Sequence, residues 1–251
     1  MIEVTQTGAV ATISLPDCEP LSRHDIPFAM QLRDAIRDTA DSDEIKAIVI
    51  CASNGNFAPP SSPADLDAAT QLRSGAMRHK WHAAYCAPSG LYQNLAYCKK
   101  VVLTAVNGRC AGAGSMLVLC SDFTVCASDS TFESPFASLP ESSLVLAALT
   151  MRLNRAKSWM LGGKVWSAEQ ATHAGLVNRA VDVAQVAGEA QAMAQSAARM
   201  PLDGVAMTKI LLEAFLDTQG VGQDFDMAGL YADSMDSALH SCGGETARTA
   251  A

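Results

Sequence analysis

Two runs, KAIVICAS (Lys46–Ser53) and VVLTAVNG (Val101–Gly108), are apolar almost without interruption and are only as long as a strand. A strand that is apolar at odd and even positions alike suits burial on both faces rather than one face in water. Around them the chain alternates strand and helix patterns. IEVTQTG and AVATISLP are β-rich runs separated by Gly8, which signals a hairpin, and FAMQLRDAIRDTA follows with apolar residues at helical spacing. The first buried run ends at Asn54-Gly55 and passes into NFAPPSSPADLDA, a loop-forming stretch, before a helix over about Ala64 to Leu72. The second unit repeats the plan: VVLTAVNG as strand, GRCAGAGS as a glycine-punctuated turn, MLVLC as a short helix and DFTVCAS as strand. This describes an α/β core built twice. Beyond Pro135 the pattern turns helical, through LVLAALTMRL, SAEQATHAGLV and Val183 to Met200, the last with Val183, Val186, Ala190, Met193 and Ala197 on one face. Met207 to Leu216 and Phe225 to Leu239 continue it, and the tail from Ser241 reads as disordered.

Length and charge narrow the function classes. The 251 residues, 49% of them hydrophobic, can fill a sizeable core. The net charge of -8, from 18 Lys and Arg against 26 Asp and Glu, opposes broad attraction to a phosphate backbone and argues against a nucleic-acid partner. An anionic small ligand needs only a local patch of cations or a helix N-terminus. None of the eight cysteines forms a C-x-x-C pair, which fits small buried hydrophobes in a reducing compartment. There is no basic start followed by an apolar stretch and no bilayer-length apolar run, so the expectation is a cytoplasmic protein with no membrane association.

The chemistry gathers in AVNGRCAGAGSMLVLCSD, Ala105 to Asp122. Gly108, Gly112 and Gly114, with Ala111 and Ala113 between them, leave the backbone nearly bare where a strand turns into a helix. Such a helix start offers N–H groups to an anion or a developing oxyanion, although small residues also serve close strand-to-helix packing. The glycines match neither G-x-G-x-x-G nor a phosphate-binding loop ending in Lys-Ser or Lys-Thr.

Together with TFESPF and AEQATHAGLVNRAV, in this order and spacing, the run resembles the enoyl-CoA hydratase/isomerase family, the crotonase superfamily. The resemblance spans roughly Ile2 to Leu216. It implies a crotonase-like spiral of ββα units over residues 1–182, with the acyl-CoA site, and a C-terminal helical region over 183–251 that assembles trimers or hexamers. It also implies an acyl-CoA substrate whose thioester oxygen sits between two backbone N–H groups. The second donor falls on Ala113, flanked by Gly112 and Gly114. The first falls on Ala64 when the segment is anchored on Asp65-Leu66, or on Ser61 when anchored on Phe57, and the prolines at 59, 60 and 63 have no N–H to give.

Where hydratases of the family carry two glutamates, this chain has Met116 and Phe136, pocket-lining residues that cannot move a proton. The segment PFASLPESS instead resembles the branch containing peroxisomal-type Δ3,Δ2-enoyl-CoA isomerases, which makes Glu141 the candidate catalytic base. Its alternative role is to cap the helix LVLAALTMRL. Glu133 is a further carboxylate near the pocket, and Asp122 is expected to end a helix and fix the next strand. His79 and His82 share a helix face without a third ligand, so no metal is expected, and His24, His173 and His240 carry no motif. No cofactor is expected beyond coenzyme A as part of the substrate, and the cations that hold it are not identified. Arg23, Lys99, Lys100 and Lys209 are the candidates. The implied activity is enoyl-CoA isomerisation, with hydration, other enolate chemistry, or a catalytically silent acyl-CoA binder as alternatives.

Overall fold

The computed structural model describes residues 1–59, 75–137, 142–228 and 230. The expected helix at 64–72, both candidate positions for the first oxyanion donor (Ser61 and Ala64), Glu141 and the tail lie outside these residues. A six-stranded sheet forms the centre, in the order β1 (Glu3–Thr7), β2 (Val10–Leu15), β3 (Ala47–Ala52), β4 (Val101–Val106), β6 (Phe123–Ala127) and β9 (Arg179–Val181). Only β1 and β2 are antiparallel. They form the hairpin expected at Gly8, whose φ of +62° suits glycine. The other neighbours pair in parallel, with Ile13 beside Ile50 and Cys51 beside Ala105.

The two apolar runs are β3 and β4, and alternate residues enter different cores. Ala47, Val49, Leu103 and Ala105 pack with Val125 and Ala127 against Val186, Ala190 and Ala194 of the helix Val186–Ala198. Ile48, Ile50, Val102 and Val106 join the larger core on the other face. There Ala29, Leu32 and Ile36 of the helix Ile26–Asp41 are buried at helical spacing. Asp25 starts that helix by accepting the Phe28 N–H at 3.0 Å.

A second, three-stranded sheet is made of two-residue strands: β5 (Arg109–Cys110), β7 (Thr131–Phe132) and β8 (Trp166–Ser167). An isolated bridge from Ala58 to Cys110 extends it. The ββα unit therefore recurs. β3, the bridge at Ala58 and the helix Gly75–Tyr85 make one copy; β4, β5 and the helix Gly112–Cys120 make the next; β6, β7 and the 3-10 turn Pro135–Ala137 make a third. This is the expected crotonase-like α/β architecture with a helical C-terminal region.

Two helical expectations need correction. LVLAALTMRL is broken at Met151, extended at φ -128° and ψ 166°, into the helices Leu144–Thr150 and Leu153–Gly162. Val183 lies in a 3-10 turn and is exposed, and Ala194 rather than Ala197 completes the buried stripe of the next helix. The helix Ala168–Ala174 follows its sequence signals, with a Ser167–Gln170 capping box at one end and Gly175 at φ +92° at the other. Among the described residues no helix is long and apolar enough to cross a membrane.

Candidate active site

The turns after β3 and β4 are built against each other. Gly108 has φ +60°, and a Cβ there would run into the Gly55 carbonyl and the Asn56 side chain. Asn56 Oδ1 accepts the Arg109 N–H at 2.9 Å, which ties the two turns together. Residues 57–58 then run alongside β5: the Phe57 N–H donates to Asn107 O at 2.9 Å, the Ala58 N–H to Arg109 O at 2.9 Å, and the Ala111 N–H to Ala58 O at 3.2 Å. Gly112, at φ +48°, swings the chain from this strand into the helix Gly112–Cys120. Gly114 faces the neighbouring segment, and a Cβ on it would lie closer than 3.0 Å to Ala58 Cβ and 3.2 Å from the Phe57 ring. The glycine pattern thus serves both readings left open by sequence, close packing and a bare helix start.

All nine residues of this helix are buried, and its N-cap, Ala111, has no side chain with which to cap it. The Gly114 N–H closes back on Ala111 O at 3.0 Å. The Ala113 N–H points to Ser22 Oγ at 3.3 Å. A helix start of this kind concentrates partial positive charge in an apolar setting, where it favours a negative oxygen. Ser115 points the other way, donating to Glu133 O at 2.6 Å. Met116 is fully buried, and Phe136 is half-buried in the 3-10 turn, packed against the main core.

The remaining candidates resolve into structural roles. Glu133 pairs with Arg109. Asp122 accepts the Val102 N–H at 2.8 Å and binds Lys209 Nζ at 2.5 Å, so it fixes the start of β4 and anchors the late helix Leu202–Thr218. The cap of Leu144–Thr150 is Ser143, which accepts the Leu146 N–H at 3.1 Å and donates to Asp224 at 2.7 Å. Asp224 also accepts the Val145 N–H at 3.0 Å. Ser143 and Asp224 thus satisfy the start of this helix, while Glu141, the sequence candidate for its cap, lies outside the described residues. Lys99 pairs with Asp41, Lys100 donates to Ser42 O at 3.1 Å, and Arg23 pairs with Glu19, so each candidate cation for coenzyme A already has a partner.

Among the described residues no group of His, Cys, Asp and Glu could hold a metal, and the seven described cysteines are free thiols. Burial pushes the Cys110 and Cys126 thiols up to about 12, which makes them poor nucleophiles. Sequence reasoning missed Ser22, Asn56 and Asp224. Asn56 beside Gly55 carried a turn signal; the other two contact residues 91 and about 80 positions away, and no local pattern announces them.

The α/β spiral thus packs the buried helix start at Gly112–Gly114 against residues 57–58. The sequence matches the enoyl-CoA hydratase/isomerase family model over residues 5–237, and the chain belongs to that family of acyl-CoA enzymes. It is 28% identical over 235 residues to 1,2-epoxyphenylacetyl-CoA isomerase of Escherichia coli K12, covering 89% of this chain and 88% of that protein. It is also 28% identical over 201 residues to carnitinyl-CoA dehydratase of Salmonella agona, covering 77% and 73%. In fold it is similar to an enoyl-CoA hydratase/isomerase from Mycobacterium paratuberculosis, with a TM-score of 0.75 at 24% identity over 92% of this chain and 93% of that one.

Proposed function

We propose that this enzyme is an enoyl-CoA isomerase of the Δ3,Δ2 type, acting on an acyl-CoA held at the N-terminus of the helix Gly112–Cys120. The observation that carries the reading is the pair Met116 and Phe136. Where a hydratase of the resembled family would hold water between two carboxylates, this chain has a fully buried methionine and a half-buried phenylalanine. Proton transfer without a bound water then falls to one carboxylate, and Glu141 is the candidate. It takes a proton from the carbon next to the thioester carbonyl, the electron pair spreads into a dienolate, and the same proton returns two carbons further along. The charge gathers on the thioester oxygen, facing the Ala113 N–H and a donor from the segment after Phe57, Ala64 in our reading. Both relatives, a carnitinyl-CoA dehydratase and a 1,2-epoxyphenylacetyl-CoA isomerase, are named for CoA thioesters, which supports the substrate class.

The test is conversion of 3-enoyl-CoA substrates of several chain lengths to the conjugated 2-enoyl-CoA, followed by ultraviolet absorbance. Wild type should turn over, and Glu141→Gln should lose roughly 100- to 10,000-fold while binding acyl-CoA within a few fold. Full turnover by the variant would remove Glu141 from the mechanism. No turnover by wild type on any chain length would favour the silent acyl-CoA binder, a reading supported by the Ser22 oxygen already on the Ala113 N–H.

The late helix favours self-association. Met207, Ile210, Leu211, Leu212 and Phe215 are each about half exposed or more, a continuous apolar surface that a lone protomer leaves in water. We assign it to contacts between copies in a trimer or hexamer. Sedimentation should show a multiple of three, and a monomer at micromolar concentration would contradict the assignment.

A further inference from the structure

The Ser22 hydroxyl stands at the Ala113 N–H, one of the two backbone donors in the proposed chemistry, and nothing in its sequence context, PLSRHD, marks it for that place. Ser22 ends the short helix Glu19–Ser22 that follows β2 and is only 4% exposed. Its oxygen accepts the Ala113 N–H at 3.3 Å, just beyond the usual range of about 2.7–3.2 Å for such bonds. A hydroxyl also carries a proton of its own, and among the described residues none accepts it. An oxygen atom entering the site would give that proton an acceptor.

The backbone around Ser22 is held firmly. The Ser22 N–H bonds to Cys18 O at 3.2 Å, and the Cys18 N–H bonds to Phe57 O at 3.0 Å, on the segment that packs against Gly114. Just beyond, His24 adopts φ +56°, in the left-handed region that few non-glycine residues occupy. Its ring lies edge-on to Trp81 and Tyr85, and Tyr85 Oη donates toward Leu21 O at 3.4 Å and Asp25 O at 3.2 Å. Contacts from the helix Gly75–Tyr85 thus hold the turn that follows Ser22.

We propose that Ser22 is a side-chain donor of the oxyanion site: its hydroxyl gives a hydrogen bond to the thioester oxygen, while the Ala113 N–H is shared between Ser22 Oγ and that same oxygen. This rests on the acyl-CoA reading above and deepens it. The Ala113 N–H polarises the hydroxyl it donates to, which makes the O–H a better donor as negative charge grows. A hydroxyl donor also suits a chain whose first donor loop is interrupted by Pro59, Pro60 and Pro63, residues without an N–H.

The experiment uses the full-length protein and a short 2-enoyl-CoA carrying carbon-13 at the thioester carbonyl. Infrared difference spectra give the carbonyl stretch, calorimetry gives affinity, and 3-enoyl-CoA turnover is measured alongside. Wild type should bind and shift the stretch to lower frequency. Ser22→Ala should lose much of that shift, bind roughly 2- to 10-fold more weakly, and turn over on the order of 100-fold more slowly. Ser22→Thr, which restores the hydroxyl, should recover the downshift, and melting curves establish that both variants are folded. A folded Ser22→Ala variant with an unchanged shift would overturn the proposal and leave the acyl-CoA reading intact. Tighter binding with a larger downshift would overturn it in the opposite sense, making Ser22 a plug on the Ala113 N–H. If wild type binds no acyl-CoA, the acyl-CoA reading fails and the role of Ser22 fails with it.

Discussion

Replacing Gly114 with alanine should loosen the site through packing alone. The added methyl would lie under 3.0 Å from Ala58 Cβ and 3.2 Å from the Phe57 ring, whereas carbon atoms in contact prefer about 3.5–4.0 Å. Neither colliding methyl can rotate away, because each is fixed directly to backbone, so the helix start and the segment at 57–58 must move apart. Overpacking of this kind costs about 1–3 kcal/mol. Alanine recovers part of it, about 0.5–1 kcal/mol, because it is the better helix former. The net loss is about 0–2.5 kcal/mol, or up to roughly 10 °C in melting temperature for a chain of this size. The decisive assay is a double-mutant cycle with Ala58→Gly, which removes the opposing methyl. Thermal melts should show the double variant more stable than the sum of the two single changes by at least about 0.5 kcal/mol. Strict additivity, or a Gly114→Ala protein that melts above wild type, would refute the close approach.

Ser143→Ala should cost about 0.5–2 kcal/mol through loss of the cap on Leu144–Thr150, whereas Glu141→Gln should leave melting within a few tenths of a kcal/mol, the reverse of what a capping glutamate would give. Alkaline pH should destabilise the protein through its buried thiols. Burial raises Cys18, Cys98, Cys110, Cys120 and Cys126 above the unfolded value of about 8.5, so above that pH the unfolded state binds fewer protons than the folded one. Their contribution is complete below about 8.5 and is lost between there and about 12, the folded value of Cys110 and Cys126. Melting temperature should therefore be flat from pH 7 to 8 and fall steeply by pH 10. A flat profile to pH 10 would contradict the buried thiols.

The architecture was legible where burial writes itself into composition. Continuous apolar runs made β3 and β4 recognisable, since each residue must enter one core or the other. The glycine turn was legible because a bare backbone leaves a trace in residue type. The strands β5, β7 and β8 were not, because two residues carry no periodicity. The break at Met151 was missed because a helical pattern running through it fits two helices equally well. Ser22 was unreadable for a different reason: its contact with Ala113 spans 91 positions, and only the folded geometry brings a commonplace serine onto the helix N-terminus.

The central claim is that an acyl-CoA thioester oxygen lodges at the start of the helix Gly112–Cys120. A crystal structure of the protein with a bound, slowly reacting acyl-CoA measures this directly. The thioester oxygen should lie about 2.7–3.2 Å from both the Ala113 nitrogen and Ser22 Oγ, with the acyl chain passing Met116 and Phe136. An ordered acyl-CoA whose carbonyl lies away from this helix start, with Ser22 Oγ still the sole partner of the Ala113 N–H, would contradict it.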